Sequence, residues 1–128
     1  MNARVLVIED NSANRYLARF VLEAHGLRVE EATNGAEGVK RALAGKPDLV
    51  IMDIEMPEMD GYEAAERIHA DPTMARVPIM AFTSYAHPRD RARALARGFA
   101  DYVEKPFDVD DFVRRVVRLL PNSQPPSS

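Results

Sequence analysis

Several polar residues stand where apolar runs stop. Glu9 and Asp10 follow Val5–Ile8, Asp53 follows Leu49–Met52, and Thr83 follows a run from Val77 to Phe82. Lys105, with Pro106 behind it, follows the weaker run Asp101–Glu104. Carboxylates brought close together repel one another, and their pKa values rise unless a cation relieves them. A hard divalent ion with oxygen ligands is the expected relief, and Mg²⁺ suits a site with few protein ligands and several waters. A carboxylate beside Mg²⁺ and an ammonium group is suited to accept a phosphoryl group covalently. Lys105 can pair with the charge so delivered, and the Thr83 hydroxyl can donate to a phosphoryl oxygen.

This chemistry requires the residues to converge, and the alternation of segments offers a way. The β-branched runs read as strands buried on both faces, with Arg28–Ala32 as a further, weaker strand. Between them lie helical patterns. Leu17, Phe20, Val21 and Ala24 recur at i, i+3, i+4 and i+7, and Gly26 stops the first helix. Asn34 caps a second through Ala36, Val39 and Leu43, which Gly45 and Pro47 end. A third runs from Tyr62 through Ala65 and Ile68 to the stop at Asp71-Pro72, and a fourth from Pro88 to Gly98. The fifth puts Val109, Phe112, Val113, Val116 and Leu120 on one side. All 9 prolines fall at a boundary, a turn, a strand start or the tail. The expected fold is α/β and doubly wound (flavodoxin-like): a five-stranded parallel sheet with helices on both faces. In the order 2-1-3-4-5 the first and third strands are neighbours, and ligands bind beyond the carboxyl ends of the strands.

The 128 residues and 14.3 kDa match one domain, expected over 1–120, followed by a flexible polar tail over 121–128. Hydrophobic residues are 46% and charged residues 29%, with a mean hydropathy of -0.30, which excludes disordered and low-complexity classes. The absence of cysteine removes disulfide scaffolds, thiolate metal sites and cysteine nucleophiles together. A net charge of -3 and the lack of a reading motif argue against direct nucleic-acid binding. No apolar run reaches the roughly 18 residues of a membrane span, and no signal peptide is evident, so a cytoplasmic protein is expected.

Glu9-Asp10-Asn11, the run from Met52-Asp53 through Glu55-Met56-Pro57 to Asp60-Gly61, Thr83-Ser84 and Lys105-Pro106-Phe107 together resemble the receiver domain of two-component response regulators. The likeness covers Arg4 to Leu120, and the four pieces in this order are highly specific. The resemblance implies that Asp53 is the phosphoacceptor and that Glu9 and Asp10 help bind Mg²⁺, with the backbone carbonyl of Glu55 as a further ligand. It makes Thr83 and Lys105 the switch and phosphate-contact residues, and Tyr102 the aromatic that turns inward with Thr83. It implies a cis Lys105-Pro106 bond. Glu55 and Tyr85, two residues beyond Asp53 and Thr83, match positions that tune phosphoryl hydrolysis, and a Tyr85 ring is expected to slow it.

The implied partners are a sensor histidine kinase or histidine phosphotransfer protein and an unknown downstream protein, bound by a monomer or weak dimer of the stand-alone type. Such a chain catalyses only its own phosphorylation and dephosphorylation and is not a conventional enzyme. Arg89, Arg93 and Arg97 form a stripe on the fourth helix, an expected part of an output face made by helix 4, strand 5 and helix 5. Asn14, Arg15 and Arg19 on the first helix could meet the phosphodonor. Two rivals stand beside this reading: a Mg²⁺ phosphatase using Asp53, and a receiver-like module that binds partners without phosphorylation.

Overall fold

The computed structural model describes residues 3–84 and 87–121. The chain runs β1 (Arg4–Ile8), α1 (Ser12–Ala24), β2 (Arg28–Ala32), α2 (Gly35–Gly45), β3 (Leu49–Asp53) and α3 (Gly61–Ala70). A 3₁₀ turn at Pro72–Met74, which the sequence did not signal, leads into β4 (Ile79–Thr83). Then follow α4 (Pro88–Ala96), β5 (Asp101–Glu104) and α5 (Val109–Leu119). All strand pairs are parallel, in the order β2-β1-β3-β4-β5. The fold is the expected doubly wound α/β sheet.

Period-two alternation splits the strand residues between two cores. Val5, Val7, Leu49, Ile51, Met80 and Phe82 pack with Ala18, Leu22, Phe112 and Val116, beneath α1 and α5. Leu6, Ile8, Val50, Met52, Ile79 and Ala81 pack with Ala42, Ala64, Ile68 and Ala94, beneath α2, α3 and α4. Both faces being covered, β3 and β4 are buried along their whole length. Helix starts are fixed locally. The side chains of Asn11, Asn34, Asp60 and Asp108 each accept a hydrogen bond from the backbone N–H three residues on.

Two helices turn differently from their apolar pattern. On α1 the buried residues are Ala18, Val21 and Leu22, while Leu17 is 42% and Phe20 60% exposed. With that face turned to the sheet, Arg15 and Arg19, one turn apart, both reach Glu31 on β2. On α2, Gly35, Gly38 and Ala42 face the core and Ala36 is exposed. At Gly38 a Cβ would sit 2.4 Å from Ile8 Cδ1, so this helix reaches the sheet through its missing side chain.

Gly61 is the second close approach. A Cβ there would lie 2.7 Å from Ile54 Cα and 2.9 Å from Asp53 O, which are backbone atoms held by the sheet edge. Gly61→Ala should therefore cost about 2 kcal/mol by overpacking, read as a lower urea midpoint. An unchanged midpoint would show that the loop after β3 yields freely.

Candidate functional site

The sheet order places β1 beside β3, with Ile8 opposite Met52, so both strands release their acids at one edge. Carboxylate oxygens of Glu9, Asp10 and Asp53 lie within 4.8 Å of one another. Glu9 is 0% and Asp53 4% exposed, whereas Asp10 is open to solvent. From β5, Lys105 Nζ donates to Glu9 Oε1 at 2.7 Å and to Asp53 Oδ2 at 3.2 Å. The Lys105-Pro106 bond is cis. Asp53 Oδ1 accepts the backbone N–H of Glu55 at 2.9 Å, and Glu9 Oε2 accepts that of Asn11 at 3.1 Å.

Burial pushes the Glu9 carboxyl up to about 7, overriding the hydrogen bonds from Lys105 and Asn11, and the Asp53 charge adds to the rise. For Lys105, burial works to lower the pKa, but the Glu9 hydrogen bond and the Asp53 charge outweigh it and hold the ammonium above its ordinary range. Glu9 thus keeps a proton in the native state over a window where the unfolded chain, near 4.5, has lost it. The native state binds more protons there, so its contribution to stability is full below about 4.5 and is lost as pH rises toward 7. Metal-free wild type should lose on the order of 2 kcal/mol relative to Glu9→Gln across that window in urea titrations. A difference constant with pH would contradict the buried, crowded Glu9.

Thr83, 2% exposed at the end of β4, donates to Glu55 Oε1 at 3.1 Å. Tyr102, 4% exposed, is turned inward and its phenol is hydrogen-bonded to Thr83. Burial first, then the charge of Asp90, raises the Tyr102 pKa. Glu9, Asp10, Asp53 and Lys105 are therefore brought together, with Thr83, Tyr102 and Glu55 joined beside them. Tyr85 lies outside the described residues, as do residues 122–128 of the expected tail.

The arginine stripe divides. Arg93 and Arg97 place their guanidinium carbons 4.9 Å and 4.5 Å from the Tyr62 ring centroid, against α3, and Arg97 also pairs with Glu66. Arg89 is exposed. Arg91 and Arg115, rather than the stripe, line a cleft of about 450 Å³ between α4, β5 and α5. Arg115 reaches both Asp101 oxygens, at 2.8 and 3.0 Å, while Arg91 Nη1 donates to the Tyr102 carbonyl at 2.9 Å. The sequence pattern missed Asp101, a buried acid within β5, because nothing local marks an acid as paired with an arginine fourteen positions away.

Paired acids and a lysine thus sit at the edge where the winding of a doubly wound sheet reverses, the place where such sheets bind ligands. The chain belongs to the response regulator receiver domain family, whose pattern matches residues 5–117. It is 32% identical over 118 residues to Protein PilH of Pseudomonas aeruginosa, covering 92% of this chain and 98% of that one. The chemotaxis protein CheY4 of Vibrio cholerae superposes with a TM-score of 0.88 at 27% identity, covering 94% of this chain and 100% of that one. The receiver domain of sensor histidine kinase PA1611 from Pseudomonas aeruginosa gives a TM-score of 0.85 at 34% identity, covering 93% and 98%. In that protein a magnesium ion is coordinated in the active-site cleft. Other relatives are longer, and the chain spans 48% of a DNA-binding transcriptional regulator of Synechocystis. Among the described residues no helix is long and apolar enough to cross a membrane.

Proposed function

We propose that the chain is a phosphorylation switch in which Asp53 takes a phosphoryl group from a phosphohistidine on a sensor histidine kinase or histidine phosphotransfer protein. The observation that carries this is the buried Asp53 carboxylate, 3.2 Å from Lys105 Nζ and clustered with Glu9 and Asp10. The donor set fits Mg²⁺: it is all oxygen, and the exposed Asp10 leaves room for coordinated water. Glu9, Asp10, Asp53 and the Glu55 carbonyl would hold the ion, as magnesium held in the PA1611 receiver supports. When bound, Mg²⁺ offsets the carboxylate charge and the repulsion between Asp53 and incoming phosphoryl oxygens.

An Asp53 oxygen forms the new bond to phosphorus as the bond from phosphorus to the donor imidazole nitrogen breaks, and that nitrogen keeps the electron pair. Lys105, already at Asp53, pairs with the added charge. The Thr83 hydroxyl exchanges its Glu55 acceptor for a phosphoryl oxygen. Tyr102 touches Thr83 through its phenol and α4 through its carbonyl, held by Arg91, so it links the site to the α4–β5–α5 cleft. The conformer that binds a downstream protein then gains population. Exposed Tyr16, Leu17 and Phe20 offer the donor a docking stripe on α1, the helix that begins two residues after Asp10. The step consumes the chain's own carboxylate, so the protein acts on itself rather than turning over a separate substrate.

Intact-mass spectrometry after incubation with acetyl phosphate and Mg²⁺ tests this. One phosphoryl increment on wild type and none on Asp53→Asn is expected. Equal labelling of both, or of neither, would overturn it, and the second result would favour an interaction module that works without phosphorylation.

A further inference from the structure

We propose that Arg15 is a positioning residue that aims the Asp10 carboxylate by holding the main chain in front of it. Arg15 Nη1 donates to the backbone carbonyl of Glu9 at 2.8 Å, and its Nε donates to Glu31 Oε1 at 2.8 Å. The guanidinium is a rigid planar fork, so the bond to Glu31 on β2 fixes the plane from which the Glu9 carbonyl is gripped. That carbonyl shares a planar peptide unit with the Asp10 nitrogen. On the other side of Asp10, the Asn11 N–H donates to Glu9 Oε2 at 3.1 Å. Glu9 is itself anchored, since its N–H donates to the Ala32 carbonyl at 3.0 Å. Both peptides that flank Asp10 are therefore held.

The Asp10 carboxylate is exposed, and among the described residues nothing donates a hydrogen bond to it. Its approach to Glu9 and Asp53 thus depends on the main chain that carries it. Arg15 stands near the start of α1, the end at which a helix disfavours a cation, and no acidic residue in the first turn offsets it. Its side chain is only 17% exposed, turned onto the link between β1 and α1 instead of outward to a phosphodonor. The consequence for Mg²⁺ rests on the ligand set proposed above, and there charge and position pull in opposite directions. Removing a cation beside the acids would, by charge alone, tighten Mg²⁺ binding. Releasing the Glu9 carbonyl loosens a ligand, and lost support behind a ligand costs roughly ten- to a hundredfold in metal affinity.

Amide NMR of the full ¹⁵N-labelled chain, with no phosphodonor, tests this. Arg15→Met should raise the Kd for Mg²⁺ about tenfold, read from amide shifts in a titration. In the metal-free chain it should lower the order parameters of Asp10 and Asn11 from about 0.85 to below about 0.6. Arg19→Met removes the same charge and another Glu31 ion pair but no hold on Glu9, so it should neither raise the Kd nor loosen the turn. A merely structural ion pair would make the two variants alike. Mg²⁺ binding in Arg15→Met as tight as in wild type or tighter, an equally rigid turn, or the same losses in Arg19→Met would overturn the proposal. If wild type takes up no Mg²⁺, the ligand set fails on its own, and the metal-free order parameters still decide the role of Arg15.

Discussion

Lys105→Met should destabilise the metal-free protein by about 3 kcal/mol at pH 8, lowering Tm by roughly 10 °C. Lys105 is the cation within the buried acid cluster, with its side chain 8% exposed against Glu9 at 0% and Asp53 at 5%. Removing it leaves two buried carboxylates without their ammonium, the case in which breaking a buried pair is most costly. Without Lys105, the Glu9 carboxyl loses the hydrogen bond that lowers its pKa, so it stays protonated to higher pH. The deficit should shrink toward pH 5, where protonation removes the repulsion, and Mg²⁺ should restore part of it by binding the native state. Thermal melts with EDTA and with Mg²⁺ at both pH values check this. Equal stability of variant and wild type at pH 8 would contradict the charge-crowded site.

Asp10→Asn should slow Mg²⁺-dependent phosphoryl uptake at least a hundredfold while leaving the fold intact. Asp10 is the exposed member of the acid cluster, so its replacement removes charge without opening the core. A metal that supplies several kcal/mol of charge stabilisation accounts for a factor of that size, since each 1.36 kcal/mol is tenfold. Raising Mg²⁺ should recover part of the rate, as expected for weakened ion binding. Uptake unchanged from wild type, or a loss that no Mg²⁺ concentration relieves, would place Asp10 outside the ion's ligand set.

The strand ends were legible because buried strands declare themselves, and a polar residue after one has few places to go. Glu9, Asp10, Asp53, Thr83 and Lys105 all leave the same sheet edge for that reason. The rotation of α1 was not legible. Leu17 and Phe20 belong to the apolar stripe that the spacing marks, yet Ala18, Val21 and Leu22 are the residues buried against the sheet, with Arg15 and Arg19 paired to Glu31 beside them. Gly38 was silent for the opposite reason, since its contribution is the volume it lacks beside Ile8. The division of the arginines also depended on tertiary partners: Tyr62 takes Arg93 and Arg97, while Asp101 takes Arg115. The Glu55 contact with Thr83 spans 28 positions, and no local pattern announces it.

The most direct test of the switch is to locate the phosphoryl group. Borohydride reduction of the acetyl phosphate-treated protein converts an aspartyl phosphate into homoserine, and peptide mass spectrometry reads the position. Homoserine at Asp53 alone, formed with Mg²⁺ and lost with EDTA, is the predicted result. Reduction at Asp10, or no reduced residue under any condition, would contradict Asp53 as the phosphoacceptor.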